Sequence, residues 1–160
     1  MLSIKENCKS VEEYNLLYDS IGWGAYNEEI ARKALDNTYY SVSIYEDDNI
    51  VGYGRLIGDT ICFMYIQDIM VKPEFQNKKI GTLIMNKLLK KVDELKKQNP
   101  DIRVYLGATK DREKFYEKFG FVRRIDANLG YGMILKWILS KFLDTKLDTN
   151  CRNFFYLICI

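Results

Sequence analysis

The longest regular pattern of hydrophobic and polar positions lies in the middle of the chain. Apolar residues recur at intervals of three and four from Ile80 to Leu95, and most lysines in this stretch fall between them. This spacing is typical of an amphipathic helix that buries one face. Asn99-Pro100 predicts where the helix ends, because proline lacks the backbone donor that a helix interior requires.

Two shorter helices are predicted nearer the amino terminus. Ser10 and Glu13 form the pattern of a capping box, and apolar residues at helical spacing follow, which predicts a helix over about 10–21. The sequence Gly22-Trp23-Gly24 then predicts a break in the chain direction. After this break, Asn27 has a side chain suited to capping a second short helix.

The other apolar runs have the length and spacing of strands. Residues 40–45 and 50–57 flank the turn residues Asp47-Asp48-Asn49 and predict a hairpin. A run over 61–71, ended by Pro73, is so apolar that we expect a central strand buried on both faces. We therefore predict an α/β fold in which helices cover a mixed sheet. Its remaining predicted elements are strands at 2–5, 102–106, 121–123 and 132–136, and a helix over 111–118 closed by Gly120.

Length and composition narrow the class of protein. The 160 residues suit a single globular domain, and the 24 basic and 22 acidic residues give no net-charge argument for nucleic-acid binding. The lysine-rich helix also lacks an aromatic base-stacking pattern, so no nucleic-acid partner is predicted. Histidine is absent, which excludes Ser-His-Asp and Cys-His catalysis and His-ligated metal sites. Proton transfer would have to use Tyr, Asp, Glu, Lys or Cys.

The sequence also bears on location and on metals. Residues 1–6 lack the apolar core of a signal peptide, and no run of about 18 apolar residues occurs, so we expect a cytoplasmic protein without a membrane partner. The 4 cysteines are far apart and form no Cys-x-x-Cys pair. This spacing predicts reduced thiols rather than disulfides and no metal site.

The junction between the 61–71 strand and the long helix has the chemistry of an anion site. Exposed backbone N–H groups and the positive end of the helix dipole favour a negatively charged ligand there. Gly81 would let a phosphate approach the backbone closely, and Lys78 and Lys79 add positive charge. The alternative is an ordinary lysine-rich helix start.

A second candidate lies in the aromatic stretch Phe115-Tyr116-Glu117-Lys118-Phe119-Gly120-Phe121. The phenol of Tyr116 has an ordinary pKa of about 10, close enough to the roughly 8.5 of a thiol to protonate a departing thiolate. In so aromatic a stretch, the alternative is a tyrosine that packs in the core.

Together the two stretches resemble a known family. The run from Val71 to Thr82 resembles the acetyl-CoA loop of the GNAT superfamily of N-acetyltransferases, whose pattern is Gln/Arg-x-x-Gly-x-Gly/Ala. The run from Phe115 to Phe121 resembles the later Phe-Tyr-x-x-x-Gly-Phe segment of that family. The resemblance covers residues 2–136 and implies a mostly antiparallel sheet whose central strands splay apart. It also implies acetyl transfer from acetyl-CoA to a small-molecule or peptide amine by direct attack, with Tyr116 as the general acid.

The resemblance further implies which residues contact the coenzyme, and where this chain departs from the family. Lys79 replaces the first loop glycine, and Thr109 replaces an asparagine often found seven residues before the tyrosine. The segment Tyr14–Trp23 resembles bacterial members labelled aralkylamine acetyltransferase-like. The implied contacts are to pantetheine from Ile69, Met70 and Val71, and to the pyrophosphate region from Gln76, Asn77, Lys78, Lys79, Ile80, Gly81 and Thr82.

A general base is required as well. An amine of pKa near 10.4 is mostly protonated at pH 7, and making it neutral costs about 4.6 kcal/mol. Asp68, in the predicted central strand, is the candidate, acting directly or through water. The alternative is that Asp68 satisfies local backbone donors. Glu28 and Glu29 could attract a cationic amine, or could form a solvated helix start.

The expected domain boundaries leave a carboxy-terminal extension. We predict an acetyltransferase domain over 1–136 and an extension over 137–160, which ends in the apolar run 154–160. That run has the length of a strand and predicts an added strand, or a contact with a partner such as a second copy in a homodimer. The alternative function is a non-catalytic coenzyme A-binding or protein-interaction module that kept the fold.

Overall fold

The computed structural model describes residues 1–133. The chain divides into two compact units, one from Met1 to Tyr105 and one from Leu106 onward, and each is described by itself. The elements in chain order are β1 (Leu2–Glu6), α1 (Val11–Ser20), α2 (Glu28–Asp36), β2 (Tyr40–Glu46), β3 (Asn49–Gly58), β4 (Phe63–Val71), a 3₁₀ helix (Pro73–Phe75), α3 (Ile80–Gln98), β5 (Arg103–Leu106) and α4 (Glu113–Glu117).

The strands form a five-stranded sheet in the order β1-β2-β3-β4-β5. The three pairings β1 with β2, β2 with β3 and β3 with β4 are antiparallel. The backbone N–H of Arg103, at the start of β5, donates to the Cys62 carbonyl just before β4. The predicted α/β class, with a mostly antiparallel sheet flanked by helices, is therefore confirmed.

Side-chain caps fix the first two helices where the sequence predicts them. Ser10 Oγ accepts the N–H of Glu13 at 3.2 Å, and Asn27 Oδ1 accepts the N–H of Glu29 at 2.9 Å. In a complete capping box the Glu13 carboxylate would accept the backbone N–H of Ser10. Here it accepts the Tyr45 hydroxyl at 2.7 Å instead. This bond ties the start of α1 to β2.

Two predictions about β4 are wrong in detail. The strand begins at Phe63 rather than at residue 61, because the Asp59 carboxylate accepts the N–H groups of residues 61, 62 and 63 and extends the turn. Burial on both faces is wrong for β4, where buried and half-buried residues alternate. Consecutive buried residues occur instead in β2, from Tyr40 to Tyr45, and in β3, from Ile50 to Leu56.

The predicted strand at 121–123 is wrong, since these residues have no regular secondary structure. Here α4 ends at Glu117, and Gly120 adopts the left-handed conformation at φ 85°, as its predicted role at the end of the helix requires. The predicted strand at 132–136 is absent from residues 132 and 133, while 134–136 and the whole 137–160 extension lie outside the described residues.

Helices α1 and α3 pack on opposite faces of the sheet. Gly52 and Gly54 of β3 face α3, because a Cβ at either position would lie within 3 Å of a side-chain atom of Ile80 or Ile84. Tyr53 and Arg55 alternate with them and point to the side of α1. The two glycines therefore let α3 approach β3 closely, which fixes the position of the amino-terminal end of α3.

Two classes of feature are missing from residues 1–133. None of their helices combines the length and the apolar character needed to cross a membrane. Nor do their Cys, Asp and Glu side chains gather in a group of three or more that could hold a metal ion.

Candidate active site

The connection between β4 and α3 has an unusual backbone. Asn77 and Lys79 both adopt the left-handed conformation, at φ 62° and φ 63°. Asparagine tolerates this region, whereas a lysine pays a steric cost of about 1–2 kcal/mol because its Cβ crowds the carbonyl oxygen. The backbone at Lys79 therefore keeps the conformation that suits a glycine, although a larger side chain stands there.

This backbone leaves a row of N–H groups without acceptors among residues 1–133. No residue of the described chain accepts a hydrogen bond from the N–H groups of residues 77–82, while the next N–H, of Leu83, donates to the Lys79 carbonyl at 3.0 Å. The first turn of α3 carries no acidic residue that would repel an anion. Unpaired N–H groups and the helix dipole together favour a phosphate ligand at this end.

The lysines at the junction remain available to solvent. Lys78 and Lys79 are exposed, and Lys78 Nζ lies 4.7 Å from the centre of the Phe75 ring. Gln76 Nε2 lies 3.3 Å from the Val71 carbonyl, which connects the loop to the end of β4. The residues predicted to contact pyrophosphate thus lie in one continuous segment around the start of α3.

The strand segment predicted to contact pantetheine begins within a β-bulge. Arg55 pairs with Gln67 and Tyr53 pairs with Met70, so that two β4 residues, Asp68 and Ile69, face the single residue Gly54. Asp68 adopts a left-handed φ of 56° at this bulge. Met70 is buried, while Ile69 and Val71 are half-buried.

The bulge directs the Asp68 side chain into the protein interior, where its exposed fraction is 0%. Its Oδ2 atom accepts the Tyr14 hydroxyl at 2.6 Å and Arg55 Nε at 2.7 Å. Its Oδ1 atom accepts the Tyr18 hydroxyl at 2.7 Å. The hydrogen-bond donors to Asp68 are therefore side chains, whereas the alternative given in the sequence analysis expects local backbone donors. Proton transfer by Asp68 stays a prediction.

Arg55 extends this network toward α2. Its Nη1 atom donates to the Ala34 carbonyl at 2.8 Å and to Thr38 Oγ1 at 3.1 Å. Burial opposes the charge on the guanidinium, but the Asp68 carboxylate outweighs that effect and raises the pKa of Arg55. The pair is therefore an ion pair of opposite charges in the interior.

The two tyrosines that hold Asp68 stay protonated near neutral pH. Burial, and after it the negative charge of Asp68, raises the pKa of Tyr14 and of Tyr18 above the ordinary value. Tyr18 also packs against two half-buried rings of the α1–α2 connection, at 5.5 Å from Trp23 and 4.9 Å from Tyr26 between ring centres. Both phenols are thus hydrogen-bond donors.

These partners of Asp68 were missed by sequence reasoning. Arg55 and Asp68 each stand alone in an apolar strand, and two charges of opposite sign in neighbouring strands are a signal for a buried ion pair. The spacing of four between Tyr14 and Tyr18 is the helical signal that places both hydroxyls on one face. Glu28 and Glu29 are exposed at the start of α2, as the solvated alternative expects.

In the second unit, Tyr116 lies on α4 among aromatic rings. The Phe115 ring centre lies 5.0 Å from that of Tyr116 and 5.3 Å from that of Phe119. Burial raises the pKa of Tyr116 to about 12, with the charge of Arg112 acting in the opposite direction. The phenol is therefore protonated at neutral pH, a state that a general acid must have. Its role in catalysis stays a prediction.

Comparison with known proteins defines the class. Residues 10–130 match the family model described as "Acetyltransferase (GNAT) domain". Since this match spans most of the chain, the protein belongs to the GNAT acetyltransferase family. That family uses acetyl-CoA, and transfer of an acetyl group is its shared chemistry.

Individual relatives agree with this assignment. The chain is 28% identical over 130 residues to the "Uncharacterized N-acetyltransferase ycf52" of Porphyra purpurea, covering 78% of this chain and 72% of the relative. It is 25% identical over 126 residues to the protein of the same description from Gracilaria tenuistipitata var. liui, covering 76% of this chain and 66%, just under two thirds, of the relative. A meticillin-resistant Staphylococcus aureus structure described as a "Probable Acetyltransferase" has a TM-score of 0.75 and 31% identity, covering 85% of this chain and 99% of that one.

Proposed function

We propose that this protein transfers the acetyl group of acetyl-CoA to an amine by direct attack, with the β4–α3 junction holding the pyrophosphate of the coenzyme. This proposal is carried by the N–H groups of residues 77–82, which donate to no acceptor within residues 1–133. A pyrophosphate supplies the acceptors that these groups lack, and the helix dipole adds attraction of about 0.3–1 kcal/mol. The exposed Lys78 and Lys79 bring two positive charges to the same end of α3.

The chain would supply contacts and protons around the reacting thioester. Acetyl-CoA supplies an activated acetyl group when it is bound. Backbone groups of Ile69, Met70 and Val71, which are half-buried or buried, would hold the pantetheine arm beside β4. Tyr116 would donate its hydroxyl proton to the sulfur as the carbon–sulfur bond breaks and the new carbon–nitrogen bond forms. Attack leaves a positive charge on the amine nitrogen, and the loss of one proton from that nitrogen gives the neutral amide.

The raised pKa of Tyr116 keeps the proton on the phenol but makes the phenol a weaker acid. At about 12 it leaves the phenol almost fully protonated at pH 7, so nearly every enzyme molecule would carry the transferable proton. The departing thiolate has an ordinary conjugate-acid pKa of roughly 8.5. Donation to it is therefore uphill at equilibrium, and the phenol must be reprotonated by solvent or by the proton that the amine loses.

The acceptor is proposed at the level of chemical class. The aromatic rings of Trp23 and Tyr26 in the α1–α2 connection, both half-buried, offer a surface for an amine that carries an apolar or aromatic group. This observation supports an arylalkylamine acceptor, the subtype that the Tyr14–Trp23 segment resembles. Peptide and aliphatic amines are the other members of the class. A cytoplasmic location and a homodimer are further proposals carried from the sequence.

A panel of amines tests the proposed reaction. Arylalkylamines, aliphatic diamines and lysine peptides are each incubated with acetyl-CoA, release of free thiol is followed, and acetylated product is identified by mass spectrometry. We expect thiol release that depends on at least one amine. Calorimetric binding of coenzyme A without release for any amine would favour the alternative of a non-catalytic coenzyme-binding module.

Charge reversal tests the pyrophosphate site separately from turnover. Lys79→Glu places a negative charge at the amino-terminal end of α3, while Lys96→Glu makes the same change in its last turn. We expect Lys79→Glu to weaken coenzyme A binding by roughly 10-fold, equivalent to about 1.4 kcal/mol, and Lys96→Glu to leave it nearly unchanged. Equal effects of the two variants, or equal binding of a pantetheine fragment without pyrophosphate, would contradict the site.

A further inference from the structure

The Asp68 side chain joins elements that are distant in sequence. Its carboxylate receives two phenols from α1 and one guanidinium nitrogen from β3, all at 2.6–2.7 Å. Through Arg55, the same network reaches the Ala34 carbonyl in α2. These bonds hold the residue at the β4 bulge, directly before the segment proposed to contact pantetheine.

From this arrangement we infer that Asp68 is a positioning residue that fixes the β4 bulge and so presents the backbone of residues 69–71 to the coenzyme, and is not the base that takes the proton of the amine. The inference rests on the proposed function, since it assigns a role within that site. It revises the role that the sequence alone suggests for Asp68.

The hydrogen bonds argue against proton uptake by Asp68. Three donors already occupy most of the acceptor positions of the carboxylate, and its side chain has an exposed fraction of 0%, so an ammonium group could reach it only if the surrounding packing opened. Protonation of Asp68 would also leave the charge of Arg55 unpaired, although that side chain is only 11% exposed. An uncompensated charge in the interior is strongly unfavourable.

The backbone conformation argues for an anchoring role. Asp68 holds a left-handed φ of 56° inside a strand, where an extended conformation is the default. Such a conformation persists only when its surroundings impose it, and here three side-chain hydrogen bonds do so. Loss of one anchor should therefore loosen the bulge and move the next residues, Ile69 and Met70, away from the geometry that binds pantetheine.

Two phenol-to-phenyl variants form a matched test. Tyr18→Phe removes the donor to Oδ1 and leaves the Asp68 carboxylate itself intact. Tyr53→Phe is the control, because the buried Tyr53 ring packs against Tyr14 beside the same cluster, while its hydroxyl is not among the donors to Asp68. Both variants keep an aromatic ring in place and remove one oxygen atom.

The measurements are calorimetric binding of coenzyme A and, with any acceptor found in the panel, the pH profile of kcat/KM. We expect Tyr18→Phe to weaken coenzyme A binding by roughly 3- to 10-fold, in line with one lost hydrogen bond to a charged group. The acidic limb of the pH profile of kcat/KM should be unchanged. Tyr53→Phe should bind coenzyme A as the unaltered protein does. Unchanged binding in Tyr18→Phe would overturn the proposal.

Asp68→Asn separates the positioning role from the base. If Asp68 has the positioning role, this variant should bind coenzyme A more weakly and keep the acidic limb of the kcat/KM pH profile. Normal coenzyme A binding with loss of that limb would show that Asp68 is the base. Should this variant fail to fold, Tyr18→Phe still decides the question. Binding needs no turnover, so if the unaltered protein acetylates no amine, the proposed reaction fails while the binding arm still tests the anchoring role.

Discussion

Replacing Gly54 by alanine tests whether the close approach of α3 to β3 sets the geometry of the loop that is proposed to hold the coenzyme. A Cβ at Gly54 would lie 2.5 Å from Ile84 Cγ2 and 2.7 Å from Ile69 Cδ1. Separations under 3.0 Å are essentially never seen for a real Cβ, so the Ile84 contact must open by at least about 0.5 Å, the difference between 3.0 and 2.5 Å. Ile69 Cδ1 is a terminal methyl that can rotate away, whereas Ile84 Cγ2 is bonded directly to Cβ, so the strain reaches the backbone of α3.

This overpacking should cost about 1–3 kcal/mol of unfolding free energy. At roughly 2–4 °C per kcal/mol for a chain of this size, Tm should fall by roughly 2–12 °C. Binding of coenzyme A should weaken too, because α3 carries the loop that is proposed to hold pyrophosphate and Ile69 belongs to the pantetheine segment. Thermal unfolding followed by circular dichroism measures the first effect, and calorimetry measures the second.

Gly130→Ala is the matched control, since no atom of the part of the chain that the structure describes lies within 4 Å of a Cβ at that position. The change in its free energy of unfolding, obtained from the shift in Tm, should be no more than about 0.5 kcal/mol. A Gly54→Ala protein with the same Tm and the same affinity as the Gly130→Ala protein would refute the reasoning.

Two further perturbations probe the loop and the buried phenols. Lys79→Gly relieves the left-handed strain at φ 63°, so unfolding free energy should rise by about 1 kcal/mol in a urea titration, and coenzyme affinity should change more than kcat. Alkaline pH should destabilise the fold, because burial raises the pKa of Tyr14, Tyr18 and Tyr116 above the ordinary value of about 10. Their stabilising contribution is complete below pH 10 and is lost as pH rises further, so a Tm that stays constant up to about pH 11 would contradict this assignment.

Local signals explain which parts of the fold could be predicted from the sequence. The helix over Ile80–Gln98 has a regular apolar spacing, a lysine-rich face and a following proline, so its prediction required no knowledge of tertiary contacts. The caps at Ser10 and Asn27 are likewise formed within three residues of the chain. The burial of β4 was predicted wrongly because apolar composition does not show which strand has both faces covered.

The candidate site depends on contacts that the sequence does not display. Asp68 accepts hydrogen bonds from residues 54, 50 and 13 positions away, and no local pattern predicts such pairings. The left-handed backbone of Lys79 is similarly set by the loop, against the preference of a lysine. The family resemblance predicted the coenzyme-binding loop and the role of Tyr116, and both stay predictions, whereas the network around Asp68 came only from the structure.

The most direct test of the account is the turnover of Tyr116→Phe. This change keeps the ring that packs beside Phe115 and removes the hydroxyl that is proposed to protonate the departing thiolate. At saturating acetyl-CoA and the best acceptor of the panel, kcat should fall by roughly 10²–10⁴-fold if thioester breakdown limits the rate, with coenzyme affinity nearly unchanged. A kcat close to that of the unaltered protein, accompanied by a stability loss of about 1 kcal/mol, would instead make Tyr116 a packing residue and contradict the proposed acid.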